Sequence, residues 1–149
     1  MLNTDSRGFL IENLNEFNKE HSPSIPLGFP RERLPQELCK NSLVTMMICL
    51  QHQQENLCGY ENKQYYICKK ERDAIIFQKI KHWETHDVFA SKDPADQQKY
   101  IANLEQERKE IAQKFEKTPT SIGNKHKRWR MAADLEQLKW RIDYLKELK

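Results

Sequence analysis

The chain has 149 residues, 38% hydrophobic and 32% charged, with a formal net charge of +3 and a mean hydropathy of −0.91. A chain this polar buries only a thin core by itself, which implies helical elements finished by cross-links or by a partner surface. The mild charge does not argue for nucleic acid, and no run approaches the roughly 18 apolar residues of a membrane-crossing helix.

Residues 1–20 predict an amphipathic helix from about Asp5 or Ser6 to Lys19, with Leu10, Leu14 and Phe17 on one face. Asp5, Glu12, Glu16 and Glu20 stand against Arg7 and Lys19. That balance fits neither an acid-poor transit peptide nor a secretory signal with an apolar centre. Residues 21–35, HSPSIPLGFPRERLP, hold four prolines and a glycine, which predicts an extended strap laid along a surface. A plain linker is the alternative, and the apolar Ile25, Leu27 and Phe29 between the prolines favour the strap.

Residues 36–90 carry the strongest signal. Cys39, Cys49, Cys58 and Cys68 are the four cysteines of the chain, and they fall as C-x9-C, eight residues, then C-x9-C. Ten residues of helix rise roughly 15 Å in close to three turns, so two antiparallel helices bring the sulfurs together in two pairs. The nested pairing, Cys39 with Cys68 and Cys49 with Cys58, is the one that suits two straight helices joined by a short turn. Two other readings stay open. Structural zinc sites usually space their ligands two to four residues apart, which no two of these cysteines do, and four unrelated buried thiols would need no pairing. The first helix should begin at Pro35 and carry Cys39, Leu43, Met46 and Cys49. The second should run from near Gly59 toward Trp83, and its later part, Ile75, Ile76, Phe77, Ile80 and Trp83, needs covering by C-terminal helices or another subunit. His82 and His86 lie four apart, a spacing that can hold a metal, but no third ligand is placed by the sequence, so solvent-facing histidines are the better reading.

Residues 91–149 predict a helical pair. Ser91, Asp93 and Pro94 form a helix-start signal. Ile101, Leu104, Ile111 and Phe115 give one heptad seam, and Met131, Leu135, Leu138, Ile142 and Leu145 give a cleaner second one. Between them lies KHKRWR, whose Lys125, Lys127, Arg128, Trp129 and Arg130 form a candidate contact for anionic lipid or RNA. A solvated helix entry is the equally weighted plain reading. No glycine-rich phosphate loop or G-x-S-x-G turn occurs, and the carboxylates alternate with basic residues as helix-surface pairs do, so neither an enzyme nor a bound cofactor or metal is expected.

The paired C-x9-C arrangement over residues 39–68 resembles the twin C-x9-C (coiled-coil-helix-coiled-coil-helix, CHCH) family of the mitochondrial intermembrane space. This resemblance implies a hairpin oxidised after the chain crosses the outer membrane, with Leu43, Met46 and Met47, or Tyr65, Tyr66 and Ile67, as the apolar face that guides recognition. GFPRER (Gly28 to Arg33), QELCKNSLVTMMIC (Gln36 to Cys49) and YYICKKERD (Tyr65 to Asp73) are similar to the single-hairpin accessory subunits in the beta subcomplex of respiratory complex I. The gap of eight residues between the two motifs is shorter than is usual among them, and the C-terminal half has no counterpart.

The expectation is therefore an all-α protein, a disulfide-stapled antiparallel helical hairpin with N-terminal and C-terminal helical extensions. Oxidisable cysteines without a cleavable signal point to the mitochondrial intermembrane space, peripheral on the inner membrane. The expected role is a non-catalytic accessory subunit of a respiratory-chain complex, complex I first, whose partners are other subunits of the assembly. The alternatives are a mitochondrial ribosomal protein that sets KHKRWR against RNA, and a soluble assembly or copper-delivery factor. The latter needs reactive cysteines beyond the structural four.

Overall fold

The computed structural model describes residues 22–35, 37–52 and 57–148; the amphipathic helix expected over residues 1–20 lies outside them. The described residues are all-α: α1 (Lys40–His52), α2 (Gly59–His82), a π-helical turn (Trp83–Phe89), α3 (Pro94–Lys117) and α4 (Lys125–Glu147), with no strand among them. Two compact units divide the chain, one containing Ser22 and Arg31–Ile76, the other Pro23–Pro30 and Phe77–Lys149.

In the first unit α1 and α2 form a hairpin closed by Cys39–Cys68 and Cys49–Cys58, with Cα separations of 5.7 and 6.0 Å. The nested pairing expected from the spacing is the pairing observed. One detail differs. The first helix begins at Lys40, not at Pro35, because Cys39 has φ 71°, a left-handed backbone that cannot continue a right-handed helix. Tight turns precede it, with Leu38 N–H donating to Pro35 and Lys40 N–H to Glu37. The Cys39 carbonyl accepts from Leu43 N–H at 2.9 Å, and the Cys58 carbonyl from Asn62 N–H at 3.0 Å. Cys39 and Cys58 thus each start a helix, and each is bridged to a cysteine inside the other helix.

The hairpin interior is thin. Cys39 and Cys58 are buried, but α1 buries none of its residues, and Val44, Met47 and Ile48 are 47, 50 and 51% exposed. On α2, Asp73 accepts from Lys69 at 2.9 Å and from the Ser22 hydroxyl at 3.0 Å, with Arg72 against the same carboxylate.

The second unit has a conventional core. Asp93 precedes α3 in extended conformation, Pro94 opens the helix, and the Asp93 carbonyl accepts from Gln97 N–H at 2.8 Å. Phe89, Ile101, Leu104, Leu138, Ile142, Tyr144 and Leu145 form the buried cluster, with Tyr100 and Ile111 packed against it. These are largely the two heptad seams, packed antiparallel, as a short connection between helices of similar length demands. Phe77 lies against Trp140, and Ile80 and Trp83 are buried.

Residues 23–26 run without regular structure in this unit, and the chain then turns at Leu27 and Gly28, with Phe29 N–H donating to the Pro26 carbonyl at 3.2 Å. Ser24 exchanges two hydrogen bonds of 2.8 Å with the Gln137 amide through its own N–H and carbonyl, and its hydroxyl donates to Asp134 at 2.6 Å. Phe29 packs edge-on against Trp83 at 5.4 Å. Gly28 between them has φ 87°, a conformation that favours glycine.

Candidate functional site

The π-helical turn after α2 inserts an extra residue per turn, which lets the consecutive Trp83, Glu84 and Thr85 all be buried. Glu84 has no exposed surface. Its carboxylate accepts from Arg141 Nε at 3.0 and 3.1 Å, from Arg141 Nη2, from the Tyr100 hydroxyl at 2.7 Å and from the Tyr144 hydroxyl. Burial alone would lower the affinity of Arg141 for its proton, but the hydrogen bonds and charge of Glu84 outweigh it and hold the guanidinium charged. Burial, then the charge of Glu84 and the bonds to it, push both phenols well above their ordinary range. With Arg141, Tyr100 and Tyr144 all donating to the Glu84 carboxylate, the cluster locks the turn against α3 and α4.

The basic cluster is divided by the fold. Arg128 Nη1 donates to the carbonyls of Phe115 and Thr118 at 2.8 and 2.6 Å, closing the end of α3, while its guanidinium lies 4.1 Å from the centre of the Phe115 ring. Arg130 pairs with Asp134 at 3.1 Å and reaches the Ser24 hydroxyl. Lys125 Nζ sits 4.4 Å over the Trp129 ring. Lys127 is exposed. Where α3 meets α4, Phe115, Ile122, Lys125, Arg128, Trp129 and Ala132 border an open cleft of about 430 Å³. Of the five sequence-predicted contact residues, Arg128 and Arg130 bond to groups of their own chain, and Lys125, Arg128 and Trp129 border the cleft.

His82 and His86 stack with ring centroids 4.3 Å apart, and His86 Nδ1 is within 2.8 Å of the Thr85 hydroxyl and 3.1 Å of the His82 carbonyl. No carboxylate or sulfur joins them in a group of three candidate ligands among the described residues. Such a group does occur at the hairpin turn, where Cys49, Cys58 and Glu61 have their sulfur and carboxylate atoms within 4.8 Å of one another. The four cysteines identified from the sequence are thus all used as staples, and none is free.

Sequence reasoning missed Glu84, Arg141, Tyr144 and Gln137. A signal existed: Asp134, Gln137, Arg141 and Tyr144 recur at helical spacing beside the apolar seam of α4. That polar stripe is where α4 takes hold of Ser24 and Glu84.

Among the described residues no helix is long and apolar enough to cross a membrane. In comparisons with known protein families, with curated proteins and with solved structures, the chain finds no match.

Proposed function

We propose that this protein is a non-catalytic structural subunit of a large inner-membrane assembly of the mitochondrion, respiratory complex I first, held on the intermembrane-space side. The observation that carries the reading is the doubly stapled hairpin with its exposed apolar side chains. Two disulfides across helices that bury almost nothing make a rigid rod without a core, and an oxidising compartment is where such a rod persists. Val44, Met47 and Ile48, at helical spacing on α1, offer the apolar patch that a neighbouring subunit covers. The resemblance of the C-x9-C pair to CHCH proteins supports the intermembrane-space address, and the resemblance of residues 28–85 to complex I accessory subunits is the reason complex I is put first.

Separating native mitochondrial complexes on a blue-native gel and identifying the band that holds this chain tests the assembly. A Cys39→Ser, Cys68→Ser variant should be lost from that band. Its normal accumulation there would falsify the role given to the staples. The ribosomal reading has less support, since Arg128 and Arg130 already bind groups of their own chain, and salt-sensitive RNA binding by the full chain would revive it.

A further inference from the structure

The connection between α3 and α4 is an uncharged tip between two basic shoulders. Residues 114–130 hold Lys114, Lys117, Lys125, Lys127, Arg128 and Arg130 against the single carboxylate of Glu116, more positive charge than the whole chain with its net +3. Arg130 is occupied by Asp134, but the four lysines are exposed. The first turn of α4 has no acidic residue, although an acid there would offset the positive end of the helix dipole. Between the shoulders, residues 119–123, PTSIG, are exposed throughout. Ile122, which opens the short turn into α4, is 94% exposed. Lys125 Nζ lies 4.4 Å over the Trp129 ring and the Arg128 guanidinium 4.1 Å from the centre of Phe115. Both rings, with Ile122 and Ala132, border the open cleft of about 430 Å³. Cationic heads therefore sit at the rim of an apolar recess, which complements the phosphate-over-acyl layering of a lipid surface.

We propose that the α3–α4 turn is a docking tip for the surface of a bilayer that contains anionic phospholipid. Lys125 and Lys127, with Lys114 and Lys117 at the end of α3, meet the headgroup phosphates. Ile122 enters the boundary between headgroups and acyl chains, and Trp129 takes the interfacial level that an amphipathic ring favours. Single-stranded nucleic acid would use the same lysines, but it leaves Ile122 without a role. At a bilayer the burial of Ile122 adds to the charge attraction, and these two weak terms together give reversible binding that requires anionic lipid. The inference stands on the second unit alone and does not depend on which assembly the protein joins.

The test is flotation of the oxidised full-length chain with vesicles of phosphatidylcholine alone and of phosphatidylcholine mixed with phosphatidylglycerol. The mixed vesicles should carry the protein, less so as salt rises, and the neutral ones should not. Lys125→Ala with Lys127→Ala should weaken binding about 25-fold, roughly five-fold for each lysine. Ile122→Ser should weaken it about ten-fold through lost apolar burial. Lys99→Ala with Lys139→Ala, at exposed positions of α3 and α4 away from the turn, changes the net charge equally and should leave binding within about two-fold of wild type. All these side chains are exposed, so the variants should fold, and their unfolding midpoints check this. Bromine-labelled acyl chains should quench tryptophan emission in wild type and much less in Trp129→Phe. No flotation with the mixed vesicles, equal flotation with neutral ones, equal losses from the two lysine pairs, wild-type binding by Ile122→Ser, or retention of single-stranded RNA in place of vesicles would each overturn the proposal.

Discussion

Cys39 and Cys58 hold equivalent places in successive helices: the carbonyl of each accepts the first helical hydrogen bond, and each sends its sulfur across to a cysteine inside the opposite helix. The hairpin is therefore pinned at both ends, by Cys39–Cys68 away from the turn and Cys49–Cys58 beside it. The bridges close chain segments of different length, 29 and 9 residues of sequence separation, and loop-closure entropy grows with length. Replacing Cys39 and Cys68 by alanine should therefore cost about 1 kcal/mol more than replacing Cys49 and Cys58, each bridge contributing about 2 to 4 kcal/mol. Urea denaturation of the two double variants measures the difference, and equal midpoints would contradict the loop argument.

Removing one member of the Glu84–Arg141 pair should be worse than removing both. Arg141→Met leaves a buried carboxylate with two phenols and no cation, which should destabilise by about 3 to 5 kcal/mol. Glu84→Leu combined with Arg141→Met removes both charges and should recover much of that loss. A double variant less stable than either single one, in thermal or chemical unfolding, would show that the pair does more than neutralise itself.

The same cluster sets an alkaline limit. An unfolded tyrosine gives up its proton near 10, whereas burial and Glu84 keep the protons on Tyr100 and Tyr144 above that pH. Beyond pH 10 the folded chain then binds more protons than the unfolded one. The stabilisation, fully present below pH 10, should fall as pH rises further, by up to about 1.4 kcal/mol per pH unit for Tyr144 and by less for the more exposed Tyr100, whose interactions solvent screens. Unfolding midpoints between pH 8 and 11 should show this decline, and Tyr144→Phe should make it shallower.

Within the basic cluster the arginines and the lysines should separate. Arg128→Ala removes the donor for two carbonyls at the end of α3 and the cation over Phe115, and should cost about 1 to 3 kcal/mol. Lys127→Ala, at an exposed position, should stay within about 0.5 kcal/mol of wild type. A comparable loss from both would mean that charge, not these bonds, holds the turn.

Regular spacing made much of the fold legible. The cysteines gave the bridge pairing because two helices and a short turn leave few ways to join them, and the heptad seams gave Ile101, Leu104, Leu138, Ile142 and Leu145 as core. Asp93 and Pro94 announced α3 through local chemistry. Glu84 was not legible, since WETHD reads as a charged surface and the donors that make its burial tolerable lie 16, 57 and 60 residues further on. The start of α1 was misplaced by five residues because nothing in the sequence marks a left-handed cysteine. In KHKRWR the sequence shows the charge but not the carbonyls and carboxylate to which Arg128 and Arg130 bond.

Counting thiols on the intact protein from its native source tests the central claim most directly. Alkylation before and after reduction, with peptide mapping, should find no free thiol in the unreduced chain and should recover Cys39 linked to Cys68 and Cys49 linked to Cys58. Four alkylatable thiols in the unreduced protein would remove the staples, and with them both the rigid hairpin and the oxidising compartment.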